Sequence, residues 1–357
     1  MLALAFACAA PPAPAVTLPL GDCSSEGSLG QRSDIVFCEP FETTDWYTHG
    51  FTDTDGRNAA TASTVSRTQI VSVGCVSGNC LKVNMLKGET NGLSVKWHPA
   101  LAGLYPEQLY LRYYIKLGPN WSPNMCDASG NITGAGGKFP GLSDERVNAD
   151  SCGQCGNGGD PGDGINCWSM RAVYRGCDSG DGQACATKPG AIARFGSYLY
   201  FYGQEGSTGS AGYWDGDDWG QSTGNGGTCG STPNNVYCGN GDGGVFYNDQ
   251  WYLVEMFVKM NTPGLADGII RGWVDGVQYY EKDNMIFRLP GNDSLHVRTV
   301  WLNVYKGGLD GNCNDSAIYL DQLVVAQGAE IGAWMPGASN DTTPPAPPRN
   351  VSAETRP

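Results

Sequence analysis

The chain has 357 residues, a formal net charge of −14, 52 glycines and only 16% charged residues. An acidic balance of that size argues against nucleic acid as a partner. Sparse charge and dense Gly/Pro punctuation argue against long helices. Short Val/Ile/Tyr/Trp runs between Gly, Asn and Asp clusters predict an all-β sandwich, which can run this long as one domain.

In chain order, "MLALAFACAAPPAPA" reads as the apolar part of a signal peptide, and residues 1–20 are assigned to a leader. "AFAC", ending at Cys8, is a loose match to a lipoprotein cleavage site, so a lipid anchor at Cys8 is one outcome. No other apolar run is long enough to span a membrane. The expected location is secreted or cell-surface.

The folded unit is placed at 21–336. Strands are expected at Asp34–Glu39, Gln69–Val73, Leu81–Met85, Leu93–Trp97, Gln108–Leu117, Trp168–Tyr174, Ser197–Tyr202, Trp251–Met260, Gly268–Glu281, Leu295–Lys306 and Ala317–Ala326. Asp275-Gly276 marks a hairpin turn inside "WVDGVQYY". Two polar, glycine-rich stretches, Ser143–Cys167 and Gly203–Asp249, are expected as disulfide-tied loops at a sheet rim. Residues 337–357 read as a Pro/Thr-rich linker, and "PPAPPRNVSAE" resembles the entry to a fibronectin type III module.

The 14 cysteines fit disulfides in an oxidising compartment. Bridges are expected within the close pairs Cys75–Cys80, Cys177–Cys185 and Cys229–Cys238. "CGQC", Cys152 to Cys155, is the zinc alternative, but no second pair or nearby histidine completes it.

Strand alternation sorts side chains by face. In "YLRYYIKL", Leu111, Tyr113, Ile115 and Leu117 oppose Tyr110, Arg112, Tyr114 and Lys116. In "TVWLNVYK", Val300, Leu302 and Val304 oppose Thr299, Trp301, Asn303 and Tyr305. Ser169 and Arg171 share a face of "WSMRAVYR", and Tyr198, Tyr200 and Tyr202 one of "YLYFY". A sheet face rich in Tyr, Trp, Arg and Asn suits a sugar chain, whose ring faces stack and whose hydroxyls need partners. Exposed strand tyrosines also arise from β-propensity alone, so no single strand decides this.

The motifs resemble, in order, those of the β-jelly-roll polysaccharide lyases of families 14 and 20, which include alginate and glucuronan lyases. "LYLRYYIKL" followed by "GGKFPGL" is similar to their strand and lysine loop. "WSMRAVYR" resembles their Ser-x-Arg strand, and "GSYLYFY" the Tyr-x-Tyr strand after it. "QWYLVEMFVKMNTPGLADGIIRGWVDG" resembles their Asn-Thr-Pro-Gly and Val-Asp-Gly hairpin, and "AIYLDQLVVA" their closing strand. The resemblance covers about Asp34 to Ala326.

It implies a jelly-roll fold and cleavage of a uronate polymer by β-elimination. Lys138, Ser169, Arg171, Tyr198 and Tyr200 would share the catalytic cleft. Arg171 suits the substrate carboxylate. Lys138 would be the base if its pKa is lowered, and otherwise neutralises charge. Tyr200 is assigned proton transfer at the leaving oxygen, with Tyr198 as its partner or an alternative base. Ser169 would position substrate or orient a tyrosine. The stretch between Arg171 and Tyr198 is longer than the family's hairpin, which leaves Tyr200 and Tyr202 as an alternative pair.

Arg112, Tyr114, Tyr202, Trp301, Asn303 and Lys306 are expected to bind substrate. Lys138, Arg171, Arg175, Lys188, Arg194 and Lys306 would make the cleft locally positive. His98 is a further candidate base. Catalysis is expected to need no cofactor, while Glu42 and Asp321 are candidates for a structural calcium site. The expected partner is an acidic polysaccharide, with no nucleic acid, and the chain is expected to act as a monomer. Two rivals stand beside the lyase: a carbohydrate-binding module on the same fold, and a glycoside hydrolase using Asp215, Asp217, Asp218 or Glu255.

Overall fold

The computed structural model describes residues 20–52, 64–144, 162–177, 190–203, 215–218, 245–307 and 310–334. There the alternating runs form two mostly antiparallel sheets packed face to face, a β-jelly-roll sandwich. The first sheet runs β1 (Leu20–Gly21), β2 (Ile35–Glu39), β19 (Ser316–Ala326), β7 (Gln108–Leu117), β14 (Trp251–Lys259), β15 (Gly268–Val274) and β16 (Val277–Met285). Beside β19 it adds β5 (Cys80–Met85), which pairs with β4 (Thr68–Val71).

The second sheet runs β12 (Asp215–Asp218), β11 (Ala193–Tyr200), β10 (Ser169–Gly176), β9 (Ile132–Ser143), β17 (Thr299–Lys306), β6 (Asn91–Trp97) and β3 (Phe51–Thr52). Three short strands join it: β13 (Val245–Phe246), β8 (Asn124–Cys126) and β18 (Gly311–Asn312).

The core lies where the alternation puts it. Leu111, Tyr113, Ile115 and Leu117 of β7 are buried in one cluster with Val300, Leu302 and Val304 of β17 and Met170, Ala172 and Tyr174 of β10. Each fully buried aliphatic side chain is worth roughly 1.5–3 kcal/mol. This layer therefore fixes strand register, because a one-residue slip would turn every such side chain to the wrong face.

The outer face of the first sheet is covered by two chain segments. Arg112 is fully buried and donates from Nη2 to Glu26 Oε1 (2.5 Å) and to the Gln322 carbonyl (3.0 Å). Glu255, its neighbour on β14, accepts the amides of Ile331 (2.7 Å) and Gly332 (2.9 Å). The Tyr114 hydroxyl accepts the amide of Trp334 (3.0 Å), whose indole donates to the Ser25 carbonyl (2.6 Å). The Cys23–Cys38 disulfide ties the incoming segment to β2. Arg112 and Tyr114, expected to bind substrate, instead fasten these segments to the sheet. Alternation gave them an outward face but could not say which outward face would be covered.

Asp275 (φ 51°) and Gly276 (φ 75°) form the expected tight turn between β15 and β16. Asn261 fixes the Asn-Thr-Pro-Gly loop: its amide nitrogen donates to the carbonyls of Leu265 and Arg288, and its oxygen accepts the amides of Phe287 and Arg288.

The Cys75–Cys80 bridge is present as expected, and Cys126–Cys313 joins β8 to the segment after β18. Cys167 and Cys177 are also disulfide-bonded. Cys8, Cys152, Cys155, Cys185, Cys229, Cys238 and Lys188, with residues 1–19 of the leader and the linker, lie outside the described residues.

Candidate active site

The site begins with an irregularity in β9. Glycine is disfavoured in strands, and "GAGGKFPGLS" carries no strand-like sequence pattern. Yet these residues form the centre of the second sheet, paired with β10 and β17. The glycines permit close approach. A Cβ on Gly137 would sit 2.1 Å from the Tyr305 carbonyl oxygen, and one on Gly141 would sit 2.3 Å from that of Met170. Register shifts in both flanking ladders fall between Lys138 and Gly141. Phe139 and Leu142 both face the core, so against β10 Pro140 is the extra residue of a bulge. The bulge turns Lys138 and Gly141 to the same outer face, which period-2 alternation alone would forbid. Lys138 is thus aimed from a strand, not from the loop that the sequence suggests.

Lys138 Nζ lies 4.4 Å from the ring centre of Tyr198 and 4.6 Å from that of Tyr305. The Arg171 guanidinium lies 5.4 Å from the Tyr198 ring and 4.6 Å from the Trp301 ring. Its Nη1 donates to Asn303 Oδ1 at 3.3 Å. Register places Arg171 opposite Tyr198 and Ser169 opposite Tyr200. The two tyrosine hydroxyls are 3.0 Å apart. Lys138, Ser169, Arg171, Tyr198, Tyr200, Trp301 and Asn303 are therefore brought together on one sheet face.

Electrostatics separate the roles these groups can play. Burial, and secondarily the Arg171 charge, brings the Lys138 amine down to about 7. Burial, then the Tyr200 hydroxyl, pushes the Tyr198 phenol above its usual value, with Arg171 opposing. At neutral pH the lysine can release or accept a proton, and the Tyr198 phenol keeps its own.

Other expected residues lie elsewhere. Lys306 is buried and points away from the cleft, donating to the carbonyls of Ser122 (2.6 Å) and Asn124 (3.1 Å). Its place on β17 alternates with Tyr305, so it shares the core-facing side of Val304. Tyr202 lies beyond the end of β11 and is exposed, so the hydrogen-bonded pair is Tyr198 and Tyr200. His98 is buried 3.3 Å from Thr299 Oγ1, its pKa lowered to about 4 by burial and then by the Lys96 charge. Arg175 and Arg194 face each other across β10 and β11 on the cleft side. Glu255 holds backbone amides on the other sheet, and the side chains of Asp215, Asp217 and Asp218 lie outside the described residues.

Two residues absent from the expected site join it. Tyr305 stacks on Lys138, and Lys96 of β6 sits 4.8 Å from the Trp301 ring. Both were on the polar face of an alternating strand, the available signal for them.

The Glu42–Asp321 pair is not an ordinary surface pair. Asp321 is buried where β19 leaves β5 for β2, next to Gln322 with φ of 46°. Its Oδ2 accepts the amides of Val76 (2.9 Å) and Ser77 (3.3 Å), while Oδ1 has no hydrogen-bond partner among the described residues. Glu42 Oε2 accepts the amide of Asn79 (2.9 Å). Cys75 and Cys80 lie close to Asp321, but their bridge leaves no thiolate to offer. Two carboxylates, one with an unused buried oxygen, fit a hard cation such as calcium.

Fold and cluster define a β-jelly-roll whose second sheet carries a cationic, tyrosine-bearing face. The family model described as Polysaccharide lyase 14 matches residues 228–317, and over that stretch the chain is polysaccharide-lyase-14-like. The match takes in β14 to β17, with Trp301, Asn303 and Tyr305, and leaves Lys138, Arg171 and the tyrosine pair outside it. Comparison with curated proteins finds no match.

Solved structures similar to this chain include three lyases. The alginate lyase Aly36B is 21% identical, with a TM-score of 0.48, covering 73% of this chain and 84% of that one. The marine PL-14 alginate lyase from Aplysia kurodai is 19% identical, with a TM-score of 0.49, covering 74% and 88%. The endo-β-1,4-glucuronan lyase from the fungus Trichoderma reesei is 12% identical, with a TM-score of 0.42, covering 73% and 86%.

Proposed function

We propose that the chain is a polysaccharide lyase that cleaves a uronate-containing polysaccharide, of the alginate or glucuronan type, by β-elimination. The observation that carries this reading is Lys138. An amine with a pKa of about 7 stands against a hydrogen-bonded phenol pair and beside a guanidinium. The stretch matched to polysaccharide lyase 14 supports the same class.

Elimination asks for three things, and the cluster offers each. Arg171, steadied by Asn303, takes the carboxylate of the reacting uronate and stabilises the charge that develops when C5 loses its proton. Neutral Lys138 accepts that proton, its pKa matched to operating pH. The electron pair forms the C4=C5 double bond and the C4–O bond breaks. The leaving oxygen takes a proton from the Tyr198–Tyr200 pair, with Tyr200 as donor and Tyr198 bridging. The Tyr198 phenol, held protonated at neutral pH by burial, is unsuited to the base role. Ser169, opposite Tyr200, orients it.

The disulfides suit an oxidising, extracellular setting, and no helix among the described residues is long and apolar enough to cross a membrane. We assign calcium at Glu42 and Asp321 a structural role, since both carboxylates lie on the first sheet side, apart from the lysine cluster. The test of the main proposal is direct. The protein is incubated with a panel of polyuronates and the ultraviolet absorbance of the conjugated uronate product is followed. Cleavage with that absorbance is expected; binding or cleavage without it refutes elimination.

A further inference from the structure

The outer face of the first sheet carries an aromatic and basic row that the elimination step does not use. It lies next to the covered residues Arg112 and Tyr114. Register sets Gln69 opposite Lys82, Lys82 opposite Tyr319, Tyr319 opposite Lys116, and Lys116 opposite Trp251. The strand neighbours of these residues, among them Leu81, Ile318, Ile115 and Tyr252, are buried in the core, so alternation turns the row outward. It therefore faces away from the lysine cluster. Lys82, Tyr319 and Trp251 are half-buried, and neither ring belongs to a hydrophobic core cluster.

Lys116 wedges the two rings apart. Its Nζ lies 4.7 Å from the centre of Tyr319 and 5.3 Å from that of Trp251. The amine and the indole Nε1 both donate to the Gly74 carbonyl, at 3.0 Å and 2.8 Å. Gly74, at φ 73°, begins the loop that the Cys75–Cys80 bridge closes, and Asp321 holds that loop through the amides of Val76 and Ser77. The rings are thus set in place before any ligand arrives, which lowers the ordering cost of binding. Half-buried rings with a fixed polar edge suit the apolar face of a sugar.

Charge gives the row a direction. At the Trp251 end, the exposed Asp249 lies 3.7 Å from Lys116 and offsets its charge. At the other end, the Lys82 side chain makes no ion pair or hydrogen bond among the described residues. An anion therefore belongs beside Lys82 and Tyr319, while Trp251 and Asp249 suit a ring face and its hydroxyls.

We infer that Trp251, Tyr319 and Lys82 form a second polysaccharide-binding site, on the opposite sheet from the lysine cluster, that holds an acidic sugar chain. The rings stack on the sugars and Lys82 takes a carboxylate. The choice of a uronate polymer as ligand rests on the lyase reading. Because the two sites face away from each other, a short oligomer engaged in the cleft gains nothing from this one. A long chain or a gel gains a second hold on the protein.

The test uses the full chain with Lys82→Glu and Tyr319→Ala, and with Lys259→Glu, an exposed lysine at the far end of β14, as the control. Turnover is followed by product absorbance on a long polyuronate and on short uronate oligomers. Binding is read as retardation in a gel containing the polymer, on a Tyr200→Phe background that spares the matrix. Lys82→Glu and Tyr319→Ala should each raise KM for the polymer about threefold to tenfold, the range for a surface charge or a stacked ring. Both should leave kcat, and kcat/KM on the oligomers, within about twofold. Retardation should fall in both and stay unchanged in Lys259→Glu.

Unchanged KM and retardation in the two variants would overturn the inference, as when another segment of the chain or a second copy occupies the row. Equal losses on polymer and oligomers mark a structural role and overturn it too, and an equal loss in Lys259→Glu marks unspecific charge. If Tyr319→Ala does not fold, Lys82→Glu decides alone. Failure of the lyase reading looks different: the parent makes no unsaturated product, while retardation still depends on Lys82. A protein that is neither retarded nor active refutes both.

Discussion

Lys138→Met removes one amine and leaves a side chain of similar length. Its effect on stability should depend on pH in a direction fixed by the pKa. In the unfolded chain Lys138 holds its proton up to the ordinary value of 10.5, and in the fold it releases it near 7. Between these values the unfolded state binds more protons, so the stability of the parent rises with pH across that window. Below about 7 the amine is charged in both states, and its burial is at its most unfavourable. The full shift corresponds to about 5 kcal/mol at 1.36 kcal/mol per unit. Lys138 is only half-buried, so water reduces that, and about 2–3 kcal/mol is the expected effect. Urea unfolding of parent and variant at about pH 6 and about pH 10 supplies the measurement. The variant should gain stability over the parent at the lower pH, and lose that advantage at the higher. A parent–variant difference that stays the same at both would refute the assignment. The same group should appear in kinetics: kcat/KM rises as pH increases through about 7 if neutral lysine is the base, and falls if the charged form is needed.

Tyr200→Phe keeps the ring and removes one hydroxyl of the pair, so turnover should fall by about 10² to 10⁴ with polymer binding retained, as steady-state rates and calorimetry would show. Tyr202→Phe, at an exposed position beyond β11, should leave turnover within about twofold; a loss there instead would move the proton donor to Tyr202. Arg171→Lys keeps the charge but not the fork that can meet a carboxylate while holding Asn303, and kcat/KM should drop about a hundredfold or more. Replacing Cys126 and Cys313 by alanine opens a closure of 187 residues, for which chain entropy predicts a loss of up to about 5 kcal/mol by denaturant unfolding. Calcium should raise the melting temperature of the parent and not of Asp321→Asn, read by calorimetry.

The sequence made the core legible because alternation in β7 and β17 is uninterrupted: every residue it sent inward is buried. The tyrosine pair was legible for the same reason, as β10 and β11 pair without a slip from Ser169 to Gly176. Three features were not. β9 escaped because its glycines are required by the crowding of neighbouring backbones, which only the folded sheet reveals. Arg112 lay on a polar face, but the cover over that face comes from residues far away in sequence, around Glu26 and Trp334. Lys306 was assigned by its charge against its own alternation with Tyr305, and the alternation held. The Glu42–Asp321 pair had a different difficulty: burial of Asp321 depends on the loop closed by Cys75 and Cys80, which no local pattern places over it.

The segments around Glu26 and Trp334 both lie on the outer face of the first sheet, and the lysine cluster faces outward from the second. Attachment through residue 334 therefore orients the molecule on a support. Coupled to a bead or an electrode from that point, the sandwich would rest on its Arg112 side and turn its lysine cluster to the solution. Long polymer chains could then thread across it without meeting the surface, and chains in a gel could be worked from one side by an immobilised layer.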